Sequence, residues 1–362
     1  MVSLVWCSIS GHGFGHAAQL VPILNELGRR HSHLRFFLRT TTPAAFFQET
    51  LTVPWEWSYS QQDIGCIQRG PLSIDVEQTW NAYTQFHDGW KGRVMDEVHA
   101  MRKAKPVLVL SNISHLGIAA GVEAGYPAVA FGSLSWDQVL AQYLVPGCLE
   151  HETIVAHIRQ AYHGVSMMIR PYPGIPMVAF PEVYDVGPVL LPFVEPEPSI
   201  RQTLKMDSHE RLVLIAFGGI PLSTLPLEQI DALEGYRFLV SGALDCRNYK
   251  RIGSTEKVGL SFRRILAESD VVMTKPGYAT TVETVRLGKP MVYVRRHNFA
   301  DEQPLVDFAH RYGRAQELSL NEFESGQWAN ALGRVQSILP PKESMPPEGT
   351  GETVEHLLKF LK

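Results

Sequence analysis

Short apolar runs alternate with stretches of helical periodicity along the first half of the chain. The predicted strands are residues 4–9, 34–38, 107–110 and 128–131, and the predicted helices are residues 17–29 and 116–124. Strands that alternate with helices favour a parallel sheet with right-handed crossovers. The first half is therefore predicted to be an α/β unit.

The same alternation restarts after a proline-rich segment, residues 171–198, which contains eight prolines. Proline at this density interrupts helices and central strands, so we predict an extended connection there. The strands predicted beyond it are residues 212–217, 237–240, 270–274 and 291–294, and the helices are residues 262–268 and 281–287. The domains expected are residues 1–180 and 181–340, and residues 341–362 form a linker and a final helix, 353–361, predicted to reach back to the first domain.

Composition and charge narrow the class of protein. The chain has 362 residues, of which 45% are hydrophobic and 19% charged, as in globular proteins. A net charge of −4 argues against general affinity for nucleic acid or anionic lipid. The N-terminus reads as a first strand and not as a signal peptide, and no apolar stretch approaches the roughly 18 residues of a membrane span. The four cysteines lie far apart and are interpreted as reduced thiols, which favours a cytoplasmic protein.

A glycine-rich segment, GHGFGH, follows the first predicted strand. Its loop residues are Gly11, His12, Gly13 and Gly15, and His16 begins the helical pattern. Such a segment is typical of phosphate binding, although a tight turn without a ligand has the same pattern. His16 replaces the third glycine of the dinucleotide fingerprint, and the next strand ends in Arg39 and Thr40 where that fold needs an acidic residue. A nicotinamide cofactor is therefore not expected, and no other cofactor is predicted.

A second candidate site follows the predicted strand that ends at Thr274. A Lys-Pro-Gly turn leads to a helix predicted to start near Thr280, and the free amides and dipole of that helix start could hold a diphosphate. Thr280 and Glu283 also fit a capping box, in which Glu283 would fold back onto the helix end. Both interpretations of Glu283 remain open at this point.

Several motifs together resemble the GT-B glycosyltransferases, the superfamily of MurG and the UDP-glycosyltransferases. They are GHGFGHA, FGG, PGYATTVE, GKPMVYV and DEQ, in that order along the chain. SGHGFGHA, SLSWD and KPGYATTVETVRLGKPMVYVRR further resemble the glycosyltransferase-like N-terminal region of L-arabinokinases. The resemblance implies two Rossmann-like α/β domains facing a central cleft, with the acceptor on the first and a nucleotide sugar on the second.

The resemblance also implies roles for residues of the second half. Glu283 would accept hydrogen bonds from the ribose hydroxyls, and Asp301, Glu302 and Gln303 would contact the donor sugar. The diphosphate would be surrounded by Gly218, Gly219, Gly277, Tyr278, Ala279 and Thr280. The bulk of Tyr278 is expected to narrow this seat. The alternative for the acidic residues is an ordinary solvated helix start.

In the first half, His16 aligns with the histidine that deprotonates the acceptor hydroxyl in UDP-glycosyltransferases. The positive end of the helix dipole should disfavour the imidazolium and keep a neutral base available near pH 7, although a capping or core histidine remains an alternative. Asp137 could orient His16 or bind the acceptor, or could simply begin a helix. The chain has no Asp-x-Asp motif, so no metal is expected, and the helix dipole and amides would neutralise the diphosphate.

The sequence thus predicts an inverting, metal-independent glycosyltransferase whose donor is a nucleotide-diphosphate sugar, with UDP as the expected nucleotide. The acceptor is left open, and the aromatic stretch 54–59 could line its site. A nucleotide-sugar epimerase on the same fold and a non-catalytic nucleotide-sugar sensor are the alternatives. A blocked or misdirected His16 beside an intact Glu283 would favour the sensor.

Overall fold

A computed structural model describes residues 3–191, 200–218, 225–242, 244–296 and 299–361. The chain forms two parallel β-sheets, each flanked by helices, and a two-stranded antiparallel ribbon. The larger sheet lies in the first half of the chain and the smaller in the second half. The predicted α/β class is confirmed.

The first sheet has seven parallel strands in the order β3-β2-β1-β6-β7-β8-β9. The strand bounds are β1 Ser3–Ile9, β2 Leu34–Thr40, β3 Trp55–Tyr59, β4 Gln68–Gly70, β5 Ser73–Ile74, β6 Leu108–Asn112, β7 Ala128–Phe131, β8 Met167–Pro171 and β9 Val183–Val186, of which β4 and β5 form the ribbon. The helices are α1 Gly15–Arg30, α2 Ala44–Thr50, α3 Val76–His87, α4 Trp90–Ala104, α5 His115–Ala124, α6 Trp136–Ala141 and α7 Leu149–His163. The central strands read as continuous apolar runs because helices cover both faces of a parallel sheet.

The second sheet has six parallel strands in the order β12-β11-β10-β13-β14-β15. Its strands are β10 Arg211–Ala216, β11 Tyr236–Val240, β12 Ile252–Ser254, β13 Val271–Thr274, β14 Pro290–Tyr293 and β15 Arg314–Glu317. The helices are α8 Ile200–Thr203, α9 Leu227–Asp231, α10 Phe262–Glu268, α11 Tyr278–Arg286, α12 Glu302–Tyr312, α13 Leu320–Ser325, α14 Ala329–Ser337 and α15 Thr350–Leu358, with a 3₁₀ turn at Thr255–Lys257.

The first sheet extends past residue 180, the boundary expected from the sequence. β9 lies within the proline-rich segment and pairs with β8 as the last strand of the sheet. An edge strand tolerates nearby prolines because one of its sides forms no ladder. The sheet of the first domain therefore ends at Val186.

The last helix, α15, belongs to the second half in sequence but packs on the first domain. Val354 and Leu357 are buried in the core formed by α1 and the first sheet. Glu355 forms an ion pair with Arg30 at the end of α1. The chain thus crosses between the domains twice.

These two crossings touch each other. The Gly349 N–H donates a hydrogen bond to the Pro188 carbonyl at 2.9 Å. A Cβ atom on Gly187 would lie 1.9 Å from the Pro347 carbonyl oxygen, and one on Gly349 would lie 2.3 Å from the Gly187 oxygen. Only glycine fits at either position.

The carboxyl ends of the strands in both sheets meet at the cleft between the domains. The loop after β1 contains Gly13, and the loop after β10 contains Gly218. A Cβ atom on Gly13, whose φ is +72°, would lie 3.9 Å from the Gly218 carbonyl oxygen. In open α/β sheets, ligands bind at this edge of the strands.

Candidate active site

His16 lies in the first turn of α1, and a chain of buried amides fixes its ring. Its Nδ1 is 2.6 Å from the Asn112 Oδ1 at the end of β6. The Asn112 amide donates to Gln19 at 3.3 Å, and the Gln19 amide donates to the Ser133 hydroxyl at 2.8 Å. Because its NH₂ donates to Gln19, Asn112 presents its oxygen to His16. The proton therefore resides on Nδ1, and Nε2 carries a lone pair.

Burial sets the protonation state of His16. Loss of solvation lowers its pKa to about 4, partly opposed by the hydrogen bond to Asn112. The ring is therefore neutral at pH 7, as the sequence led us to expect, although burial and not the helix dipole is the main cause. The Trp136 ring lies 5.5 Å from His16 and 5.3 Å from His12, between centroids.

Asp137 does not contact His16, so the expectation that it orients the histidine is corrected. Its carboxylate is fully buried in the first turn of α6 and forms an ion pair with Arg159 at 3.2 Å. A buried carboxylate needs a counter-charge, and Arg159 on α7 supplies it. Asn112 holds the histidine instead.

The glycine loop is tightly built and contacts the second domain. A Cβ atom on Gly11 would lie 1.7 Å from the Thr41 hydroxyl, so a side chain there would displace Thr41, whereas Gly15 has open space around it. His12 is half-buried, and its Nδ1 accepts a hydrogen bond from the Cys66 N–H at 3.2 Å. Its ring stacks on Phe299 of the second domain, with 6.3 Å between centroids. His12 therefore shapes the loop and joins it to the facing domain.

The candidate diphosphate seat is the start of α11. Gly277 is the N-cap residue and the helix begins at Tyr278, two residues earlier than predicted. The first intrahelical hydrogen bond runs from the Thr281 N–H to the Gly277 carbonyl at 2.9 Å. The amides of Gly277, Tyr278, Ala279 and Thr280 precede it, and such amides are available to an anion.

The side chain of Tyr278 points away from this seat and does not narrow it as expected. Its hydroxyl donates to the Tyr172 carbonyl and accepts from the Val189 N–H, both at 3.0 Å. The ring is buried in the core under α11 and α12. A buried tyrosine needs a partner for its hydroxyl, and the connecting segments provide two.

Glu283 does not form the capping box that its spacing suggested. The residue lies in the second turn of α11, and its carboxylate contacts the Arg263 guanidinium at 3.2 Å. Burial raises the pKa of Glu283, and Arg263 opposes that shift. The ion pair keeps a half-buried carboxylate at the position implied for ribose recognition.

Lys275 is a residue of this site that sequence reasoning did not single out. It is buried, and within the described ranges no acidic group lies close enough to form an ion pair with it. A Cβ atom on Gly218 would lie 3.5 Å from its Cε, which places the lysine between the loops after β10 and β13. Burial and the nearby Arg296 lower its pKa to about 7. The motif Lys-Pro-Gly was interpreted only as a turn, but a lysine immediately before a candidate phosphate seat was the available signal.

The acidic residues at the start of α12 are buried and paired with arginine, so the solvated helix start is wrong for them. Asp301 contacts the Arg296 guanidinium at 3.1 Å, and Glu302 accepts from the Arg296 backbone N–H at 2.7 Å. Gln303 is exposed and accepts from Arg295 at 2.7 Å. The Arg296 guanidinium also lies 3.9 Å from the centroid of Phe299. The three predicted sugar-contacting residues are therefore together beside the seat, each held by an arginine.

Two further expectations concern glycines and metals. Gly218 follows β10 with a φ of +76°, whereas Gly219 lies outside the described residues. In the part of the chain that the structure describes, no three His, Cys, Asp or Glu side chains are grouped so that they could hold a metal ion. Nor does any described helix combine the length and apolarity needed to cross a membrane.

Two facing Rossmann-like domains with a cleft at their carboxyl edges define the GT-B glycosyltransferase fold, and this chain has it. It is similar to CalG4, the calicheamicin glycosyltransferase, with a TM-score of 0.63 and 17% identity over 100% of this chain and 99% of that one. A UDP-glucosyltransferase from Polygonum tinctorium gives a TM-score of 0.64 at 12% identity, covering 99% and 98% of the two chains. VinC, a glycosyltransferase solved in complex with dTDP, gives 0.60 at 14% identity over 99% of both.

Among curated proteins, the chain is similar to L-arabinokinase of Arabidopsis thaliana. The two are 26% identical over 357 residues, which cover 97% of this chain and 34% of that protein. The chain therefore spans about a third of the length of this relative. No protein-family model matches the chain.

Proposed function

We propose that this protein transfers a sugar from a nucleotide-diphosphate sugar to an acceptor hydroxyl, with inversion at the anomeric carbon. The observation that carries the proposal is the fixed tautomer of His16, which leaves a neutral Nε2 lone pair available. A general base for a hydroxyl needs this state near pH 7. The glycosyltransferase fold of the structural neighbours supports the same reaction class.

The donor would bind to the second domain at the start of α11. The amides of Gly277 to Thr280 and the helix dipole would hold the diphosphate. Lys275, which lies between the loops after β10 and β13, would add a positive charge. Glu283 would accept hydrogen bonds from the ribose while it remains beside Arg263. Asp301, Glu302 and Gln303 would contact the sugar hydroxyls. Uridine is the nucleotide that the resemblance favours, and a calorimetric panel of nucleoside diphosphates tests that choice.

In the proposed step, Nε2 of His16 takes the proton of the acceptor hydroxyl as its oxygen attacks the anomeric carbon. The bond from that carbon to the β-phosphate oxygen breaks, and the nucleoside diphosphate leaves with the electron pair. Negative charge develops on the leaving oxygen, where Lys275 and the α11 amides would stabilise it. The proposal gives this neutralising role to the chain and not to a divalent ion.

Substitution of His16 tests the proposal. We expect His16→Ala to lower turnover by about 10²–10⁴-fold, the usual contribution of a general base, and to leave nucleotide affinity within a few-fold. Slow hydrolysis of the donor serves as the assay, since it needs no knowledge of the acceptor. The control is His33→Ala, which removes an exposed histidine. Full activity in His16→Ala would show that His16 is structural.

A second candidate function is a nucleotide-sugar sensor without catalysis, and one observation favours it. The group that holds His16 is the neutral amide of Asn112, which cannot stabilise an imidazolium as a carboxylate does. Tight nucleotide-sugar binding without transfer or hydrolysis across a broad donor panel would support this function. A sensor would use the same donor site but would not catalyse sugar transfer.

A further inference from the structure

Three histidine rings and a tryptophan ring stack where α3, α4, α5 and α7 meet. His87 ends α3 and His115 begins α5, with 5.3 Å between ring centroids and an interplanar angle of 7°. His157 of α7 stacks on His87 at 5.8 Å. Trp90, the first residue of α4, lies 4.9 Å from His87 and 5.2 Å from His115. We call these four residues the histidine stack.

The two central rings of the histidine stack are built to be neutral. Both ring nitrogens of His87 and both of His115 are buried and have no hydrogen-bond partner among the described residues. His115 is fully buried. An imidazolium would place two charged N–H donors among aromatic rings with no acceptor, which is costly.

Basic side chains on neighbouring helices add to this cost. Arg93 of α4 lies over the Phe86 ring, 5.0 Å from its centroid, and His157 approaches from α7. On α3, Tyr83 packs beside His115, and the only adjacent acid in sequence, Asp88, is exposed. Burial is the main cause that lowers the pKa of His87 to about 4 and that of His115 well below its ordinary value, and His157 lowers both further.

The stack is connected to the loop that holds the candidate base. His115 follows Asn112 by three residues, and Ile113 between them has a φ of +48°, which is strained for a branched residue. The Ile113 carbonyl accepts from the Tyr162 hydroxyl at 2.8 Å, and the Ser114 hydroxyl caps α5. A displaced His115 ring would therefore disturb the short segment that positions Asn112.

We propose that the histidine stack is an acid-sensitive joint, whose protonation separates the α3–α4 hairpin from α5 and α7 and loosens the contact of Asn112 with His16. The inference does not depend on the proposed reaction. It predicts a local opening that precedes global unfolding as the pH falls.

The sign follows from the direction of the pKa shifts. An opened ring titrates near 6.5, whereas in the stack the pKa of His87 is about 4 and that of His115 is well below its ordinary value. The opened form therefore binds protons first, so stability is full above about pH 6.5 and is lost as the pH falls toward 4. The stack should contribute about one extra proton per central ring to the opening reaction.

Phenylalanine substitutions test the joint because they keep an aromatic ring and remove the titration. For the wild type, the urea concentration at the unfolding midpoint should decrease as the pH is lowered from 7 to 4.5. His87 is half-buried. We expect His115→Phe and His87→Phe each to reduce the number of protons taken up on unfolding by about one. His33→Phe, at an exposed histidine, should leave the wild-type dependence unchanged. Equal pH dependence in all four proteins would overturn the proposal.

Hydrogen exchange separates local opening from global unfolding. After correction for intrinsic rates, amides of α3, α4 and residues 112–115 should exchange faster at pH 5 than at pH 7, while the second sheet stays protected. The wild-type increase should be at least tenfold larger than that of His87→Phe, which also covers the case that His115→Phe fails to fold. Uniform loss of protection across both sheets would show ordinary acid unfolding and contradict the joint. Neither readout involves turnover, so failure here leaves the proposed transferase untouched.

Discussion

Lys275 combines burial with the absence of an ion-pair partner among the described residues, beside the proposed seat of a dianion. Its pKa of about 7 means that the amine is only partly charged in the free protein at neutral pH. A bound diphosphate would favour the charged form and so raise that pKa. Donor binding should therefore draw a proton into the site.

This linkage gives a testable pH dependence. Above pH 7, the affinity for a UDP-sugar should fall with rising pH, by up to about tenfold per unit, because binding must then take up a proton. A UDP-sugar is the right probe, since its diphosphate diester does not titrate in this range. We expect Lys275→Met to bind about ten- to a hundredfold more weakly at pH 6.5 and to show no such slope. Calorimetry in two buffers of different ionisation enthalpy measures both quantities.

The matched control for this experiment is Lys289→Met, at a partly buried lysine beyond the far end of α11. It should bind the donor as the wild type does. A slope that persists in Lys275→Met would mean that another group takes up the proton.

Asn112 decides how basic His16 can be. We expect Asn112→Asp to raise the pKa of His16 by about 1–3 units, because a carboxylate replaces the amide 2.6 Å from Nδ1. The acid limb of the pH–rate profile should move from near pH 4 toward neutrality, and the plateau rate should rise as the base strengthens. Histidine NMR titration gives the pKa and donor hydrolysis gives the profile.

The outcome also distinguishes the two candidate functions. A sensor with Asn112→Asp would show the shifted pKa with no turnover at any pH. An unchanged pKa would contradict the assignment of Asn112 as the residue that holds the ring.

At this scale the sequence predicted residue types better than contacts. His16, the acidic pair and Glu283 were singled out as candidates from their motifs, whereas the residues that contact them, Asn112, Arg296 and Arg263, were not. Asn112 is 96 positions from His16, and only the order of strands in the sheet brings them together. Asp137 was one candidate to orient His16, but its buried carboxylate pairs with Arg159 instead.

Among the elements, α15 binds the end of the chain to the first domain by its apolar face. Leu357 is fully buried against α1 and the first sheet. We expect Leu357→Ala to lower the free energy of unfolding by about 2–5 kcal/mol, through lost burial and a residual cavity. Urea denaturation followed by circular dichroism measures the change.

Leu339→Ala provides the comparison, because this leucine is 82% exposed in the linker before α15. Its effect should stay within about 0.5 kcal/mol. If the two variants are equally stable, α15 is not a structural part of the first domain.

Most strands with apolar runs were predicted, but the internal, buried strand β8 was missed, as were the edge strands β3, β9, β12 and β15. The central strands β1, β6, β10 and β13 agree with the predicted ranges to within two residues at each end. β3 and β9 were not predicted, because an edge strand beside proline is half-buried and lacks a continuous apolar run. The helix starts at α1 and α11 were placed two or three residues late, since neither has a side-chain cap to mark it.

At the scale of the whole molecule, Tyr278 links the second domain to the segments that lead out of the first. Its hydroxyl bonds both Tyr172 and Val189. We expect Tyr278→Phe to cost about 1–3 kcal/mol, because it leaves the buried Val189 N–H without this partner. It should also increase the radius of gyration of the free protein in small-angle scattering, with partial recovery on nucleotide binding.

Tyr236→Phe is the control, since its hydroxyl accepts from Gln336 within the second domain alone. It should alter the scattering profile less than Tyr278→Phe does. Identical profiles for both variants would show that the Tyr278 hydroxyl does not set the domain orientation.

The contact of Gly187 with Pro347 and Gly349 makes the two connections a common pivot. Two connecting segments that lie apart would resist rotation of the domains about most axes. Two segments that cross at one point permit rotation about that point. If the domains rotate about this crossing, His16 and Lys275 would part along an arc and return to the same positions. The reproducibility of that closure would rest on two positions, far apart in the chain, that have no room for a side chain.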